Sequence, residues 1–138
     1  MGLGPVDVAV IAFPGNKFTG KIAPALAELV SSGTVRVLDL LFVAKDAEGN
    51  LGSFDLVDLD PEVGAHFSEL VLSAPGSLND EDAQEISDDL EPNSSVALIA
   101  WENVWARRFV DALRDSDAVV IDQIRIPADV AEAVLPAL

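Results

Sequence analysis

Asp39 and Asp122 stand at matching places in two similar stretches, "VLDLLFVAKD" (residues 37–46) and "VIDQIRIPAD" (residues 120–129), which share the Val, the inner Asp and the final Asp. Two carboxylates brought together across a pseudo-axis could share a proton or a cation. The plainer reading turns both to solvent. A second candidate is "GNKFTGKI" at residues 15–22, with the G-x-x-x-x-G-K spacing of a phosphate-binding loop. A "VVID" stretch at residues 119–122 even suits the strand that accompanies such loops. Yet Ile22 stands where a Ser or Thr hydroxyl should hold magnesium, and Pro24 follows in the next turn. The stretch therefore reads as a strand-to-helix turn using Gly15 and Gly20 for backbone freedom. Productive binding of ATP or GTP is not expected.

The remaining reactive residue types are sparse. The chain has no Cys, no Tyr and one His, His66. Disulfides, zinc–thiolate sites and thiol nucleophiles are excluded, and a lone His next to Phe67 reads as a helix-surface or packing residue. The acidic run "NDEDAQEISDDLE" at residues 79–91 could attract hard cations. Asp80, Glu81 and Asp82 equally suit a first helical turn, with Asn79 or Ser77 as cap. No metal site or cofactor is assigned. Arg107 and Arg108 follow Trp105 and read as partners for surface carboxylates. Trp101 and Trp105 read mainly as core, and as interface anchors where exposed.

The 138 residues carry 24 acidic against 8 basic side chains, a formal net charge of −16. That opposes nucleic-acid binding, which needs Lys and Arg to neutralise phosphates, and opposes anionic membranes. It favours divalent cations or basic partners. No apolar run nears the ~18 residues needed to span a bilayer. The opening "MGLGPVDVAV" lacks a basic leader region, so a cytoplasmic location is the expectation.

The elements that must position these residues follow from periodicity. "VAVIAF" (residues 8–13) and "VALIAW" (residues 96–101) agree at four of six positions, and both read as buried central strands. Ile22, Leu26, Leu29 and Val30 recur at helical spacing up to Gly33, a helix stop. Residues 34–44 read as a strand, "KDAEGN" as a hairpin turn, and residues 51–59 as the next strand. Val63, Phe67, Leu70 and Val71 mark a helix, and a second, acidic helix runs over about residues 79–90. Residues 103–115 read as a helix with Trp105, Phe109, Val110 and Leu113 inward. Residues 118–126 read as a strand, and Pro127 opens a last short helix carrying Val130, Val134 and Leu135.

The order strand–helix–strand thus occurs twice, over about residues 5–46 and 94–129, with an insertion over about 47–93 in a single domain spanning 1–138. Two split βαβ units in one antiparallel sheet predict a ferredoxin-like α+β fold, with an inserted hairpin strand and two middle helices. "GPVDVAVIAFPGNKFTG", "VRVLDLLFVAKDAEGN", "LEPNSS" and "IPADVAEA" together resemble a group of small bacterial, largely actinobacterial, proteins of unknown function. The resemblance covers nearly the whole chain. It implies the same tandem fold in a bacterial, cytoplasmic or membrane-associated setting, and brings no catalytic residues.

The functional expectation is a non-enzymatic, self-associating interaction or scaffold module, a homo-oligomer built from a sheet edge or from apolar surface. Trp101, Trp105, Val130, Val134, Leu135 and Leu138 are the candidate interface residues. The alternative is a small-ligand or cation-sensing domain with a pocket between the sheet and the middle helices. An acid–base enzyme using Asp39 and Asp122 is a third, weaker reading.

Overall fold

The computed structural model describes residues 2–13, 22–55, 71–87 and 89–135. β1 (Val6–Phe13) leads to α1 (Ile22–Ser31), β2 (Val35–Lys45) and β3 (Leu51–Asp55). Then come α2 (Asp80–Ser87), β4 (Ser94–Asn103), a 3-10 turn (Val104–Ala106), α3 (Arg107–Asp115) and α4 (Ala128–Val134). The strands form one antiparallel sheet in the order β1-β4-β2-β3. β1 and β2 both run against β4, which separates them. They are therefore parallel to each other and joined through α1, as in a split βαβ unit.

Apolar residues explain why β4 and β2 take the centre. Phe13, Val37, Leu40, Phe42, Ala97 and Ile99 form a core on one face, against Leu26, Ala27 and Val30 of α1. Leu41, Val43, Val96, Leu98 and Ala100 pack on the other face beneath Leu78 and Leu90. A strand covered on both sides has no reason to alternate, and "VALIAW" accordingly reads as one apolar run.

Local chemistry closes each element. Gly33 has φ +76°; its N–H reaches the Val30 carbonyl, and the Thr34 N–H reaches that of Leu29, both at 3.0 Å. That is a Schellman stop, which needs a left-handed residue where glycine stands. The Asp46 carboxylate ties the 46–50 turn by accepting from the Glu48 and Asn50 amides. At α2, Asn79 Oδ1 accepts from the amides of Glu81 and Asp82 while Asp82 returns a bond to the Asn79 N–H. This reciprocal cap meets the sequence expectation for Asn79.

β2 contains a bulge. Val37 pairs with Trp101 and Asp39 with Ala100, so Leu38 is an extra residue. The bulge reverses which residues face which side: Val37 shares a face with Leu40 and Phe42 rather than with Asp39.

Three expectations are corrected. Residues 118–126 form no strand, and β1 is an edge of the described sheet rather than a central strand. β1 is also half-exposed, because Val6, Val8 and Val10 alternate onto one face of the sheet and lie uncovered there. Trp105 and Phe109 of the 104–115 region are exposed, not inward; Val110 and Leu113 are half-buried. The expected helix about Val63–Leu70, His66, and residues 15–21 of the glycine-rich turn lie outside the described residues.

Candidate interaction surface

Where β4 ends, the sheet hands the chain to its C-terminal quarter, and two polar residues build the joint. Glu102 is fully buried. Arg107 donates to it through Nε at 2.7 Å and Nη2 at 2.8 Å, Arg36 pairs with it at 2.9 Å, and the Gly4 amide donates at 2.7 Å. The Arg107 hydrogen bonds are the main cause that holds this carboxyl at about 2, below its ordinary 4.5. Burial opposes them, and the Gly4 amide and the two positive charges assist. The pairing in turn raises Arg107. A carboxylate held so far below neutrality is a clamp, not a proton shuttle. Gly4 must lack a side chain here, because a Cβ would fall on the Asn103 carbonyl oxygen.

Asn103 uses its whole amide. Its Oδ1 accepts from the indole N–H of both Trp101 and Trp105 at 3.3 Å. Its Nδ2 donates to the Pro5 carbonyl at 3.1 Å and to Asp7 Oδ2 at 2.7 Å. Asp7 also receives Arg125, from the far side of α3 in sequence. So the first residues of β1, the end of β4 and the segment after α3 meet at one place.

Around this joint the surface is apolar. Val119 (82% exposed), Ile121 (98%) and Ile124 (81%) stand out from the segment between α3 and α4. Trp105, Phe109, Val130, Val134 and Leu135 are also exposed. A cavity of about 500 Å³ lies between Asp7, Trp105, Phe109, Val110, Ile124 and Arg125, among others. A second groove of about 430 Å³ runs beside α1, lined by Ala9, Ile11, Leu26, Leu29, Ile99 and Trp101 among others. Neither lies where the middle helices were expected to make a pocket. Among the described residues, the outer edge of β1 pairs with no strand.

The sequence-predicted carboxylates are placed very differently. Asp39 is buried, and its oxygens accept from the amides of Leu40 (2.9 Å), Gly76 (3.1 Å) and Leu78 (2.9 Å). It fastens the 73–78 segment over the bulge, where the Ala74 N–H also meets the Leu38 carbonyl at 2.8 Å. Asp122 is exposed in the segment after α3. Neither is hydrogen-bonded to the other among the described residues. Trp101 is half-buried; Trp105, Val130, Val134 and Leu135 are exposed; Leu138 lies outside the described residues. Among the described residues no group of three or more His, Asp and Glu converges as metal ligands would, and no helix is long and apolar enough to cross a membrane.

Sequence reading missed Glu102 and Asn103. The available signal was "WEN" closing an apolar strand, with Arg107 five residues on. A charge that ends a buried strand needs a partner within reach.

The architecture defines a small α+β module: a four-stranded antiparallel sheet whose outer edges at β1 and β3 pair with no further strand among the described residues, and an apolar C-terminal unit joined to it by ion pairs around the buried Glu102. Residues 2–138 match the model of a family of unknown function (DUF6325), and the chain belongs to that family. No curated protein and no solved structure matches it.

Proposed function

We propose that this protein is a non-enzymatic, self-associating interaction module of ferredoxin-like plan, completed at the open edge of β1. The observation that carries the reading is the run of Val119, Ile121 and Ile124, all above 80% exposed, in a chain that also leaves the outer edge of β1 unpaired among the described residues. An edge offers free N–H and C=O groups that another strand can satisfy. Large contiguous apolar exposure is a mark of an interaction site. The split βαβ unit of β1, α1 and β2 supports the first half of the tandem plan. The second half follows if residues 118–126 act as the strand beyond β1. α1 and α3 support the parallel between halves by ending alike: the Asp117 N–H meets the Arg114 carbonyl and the Ala118 N–H that of Leu113, as at Gly33 and Thr34.

Ile121→Asp tests the reading. At 98% exposure the substitution removes no contact within the chain, and surface changes of this kind stay within about 0.5 kcal/mol. Sedimentation should show wild-type protein above the monomer mass and the variant at it, with equal melting temperatures. A monomeric wild type at high concentration and physiological salt, unchanged by magnesium or calcium, overturns it.

The cavity beside Asp7 and Arg125 favours a second reading, a small-ligand or cation-sensing domain. Its volume falls in the range of about 300–1,000 Å³ usual for such sites. A ligand-dependent rise in melting temperature, lost in Phe109→Ala, is its readout.

A further inference from the structure

The chain carries two complementary surfaces and satisfies neither. One is the outer edge of β1, with Val6, Val8 and Val10 uncovered. The other is the segment 118–126, which belongs to no strand or helix and holds its aliphatic side chains in solvent. They touch at one point, the ion pair of Arg125 with Asp7 at the start of β1. Charge divides along the same line. Residues 1–103 hold eighteen acidic and four basic side chains, whereas residues 104–138 hold six and four. The C-terminal unit is thus nearly neutral, and the body it would cover is strongly acidic.

Resting on the self-association reading, we propose that two copies exchange the chain beyond α3. Residues 118–126 of each copy lie along the β1 edge of the other, and each Arg125 meets the partner's Asp7. The arrangement is isologous: both surfaces belong to one chain, so two copies close on each other and leave no surface over. Exchange also reuses a contact that the single chain already makes, which is what makes swapping accessible. The connection is suited to it. Arg107, the first residue of α3, stays clamped to Glu102 across the 3-10 turn Val104–Ala106, so α3 remains with its own sheet and the exchanged part is the chain beyond it. Every residue from Ser116 to Val130 is exposed, so this segment can pass to another molecule without leaving a core behind. The groove beside α1, lined by Ile11, Leu29 and Trp101 among others, offers an incoming apolar side chain a seat.

Charge reversal distinguishes exchange from a pair within one chain. Asp7→Arg and Arg125→Asp are purified separately, then mixed and weighed by native mass spectrometry. Each variant alone sets like charges together at both contacts, and its dimer should dissociate about tenfold more readily. In the mixture both contacts are opposite-charge, so heterodimers should greatly exceed the about one half expected from random pairing. Mixing Asp7→Arg with Arg108→Asp controls for net charge and should give random pairing. A wild-type dimer whose reversed variants pair no better than that control overturns the exchange and leaves self-association standing. Rescue by the double variant in one chain, with none on mixing, places the pair within the chain and also overturns it. A monomeric wild type overturns both.

Discussion

Glu102 shows how one buried charge can govern acid stability. Its carboxyl sits at about 2 in the folded protein, against an ordinary 4.5. A depressed carboxyl contributes stability that is fully present above its unfolded value and is lost as pH falls through the folded one. Its share therefore disappears between about pH 4.5 and pH 2. The background moves the other way, because protonating an excess of carboxylates relieves repulsion in a chain of net charge −16. Urea midpoints should consequently fall more steeply between pH 5 and pH 2.5 in wild type than in Glu102→Gln. The variant should be less stable at pH 7, where it leaves Arg36 and Arg107 without their carboxylate. Parallel slopes would show that the ion cluster is not what responds to acid. Asp39 illustrates the opposite use of a carboxylate: its bonds all go to backbone amides, and it orders a loop rather than pairing a charge.

At the scale of elements, the two helix stops invite a matched experiment. Gly33 and Asp117 both hold left-handed backbone, at φ +76° and +55°, but only one of them is glycine. A side chain at that conformation costs about 1 kcal/mol, less for Asp and Asn. Gly33→Ala should therefore destabilise by about 1 kcal/mol. Asp117→Gly should stabilise by about 0.5–1 kcal/mol, since it also removes a negative charge from a helix C-terminus. Thermal melts of both variants check the pair, and a loss in Asp117→Gly would contradict the cap geometry. The elements also show what sequence could and could not convey. β1, β2, β4, the 46–50 turn, the Gly33 stop and the Asn79 cap were legible because each depends on residues adjacent in the chain. Residues 118–126 read as a strand because "AVVIDQIRI" suits a pleated surface. Strand propensity reports that suitability and not whether a neighbouring edge is taken. Trp105 and Phe109 lie on one helical face, as spacing required, but spacing does not say what that face meets. The bulge at Leu38 left no mark in composition. It turned Asp39 inward, where a regular strand had suggested solvent.

For the molecule as a whole, apolar attraction and like-charge repulsion compete. Each aliphatic side chain carried from water into a packed interface gains about 1.5–3 kcal/mol. Association itself costs an estimated 4–15 kcal/mol, so several of the exposed residues must be buried together. Two chains of charge −16 repel one another, and salt screens that repulsion over about 10 Å at 0.1 M and about 3 Å at 1 M. Self-association should therefore tighten as sodium chloride rises from 0.05 to about 0.5 M, measured by light scattering across a dilution series. Weakening with salt would mean that ion pairs, rather than aliphatic burial, hold the copies together.

The single amide oxygen shared by Trp101 and Trp105 also gives the protein a built-in optical gauge. These are its two tryptophans, and it has no tyrosine, so all indole emission originates within one residue's reach of Asn103. Trp101 is half-buried in the sheet, whereas Trp105 is 66% exposed and belongs to the connecting turn. Covering Trp105 should shift emission to shorter wavelength and lessen quenching by iodide, with Trp101 as the internal constant. A dilution series read at micromolar protein should trace the same midpoint as the mass measurements. An emission maximum that stays fixed while the mass changes would locate the contact away from the turn.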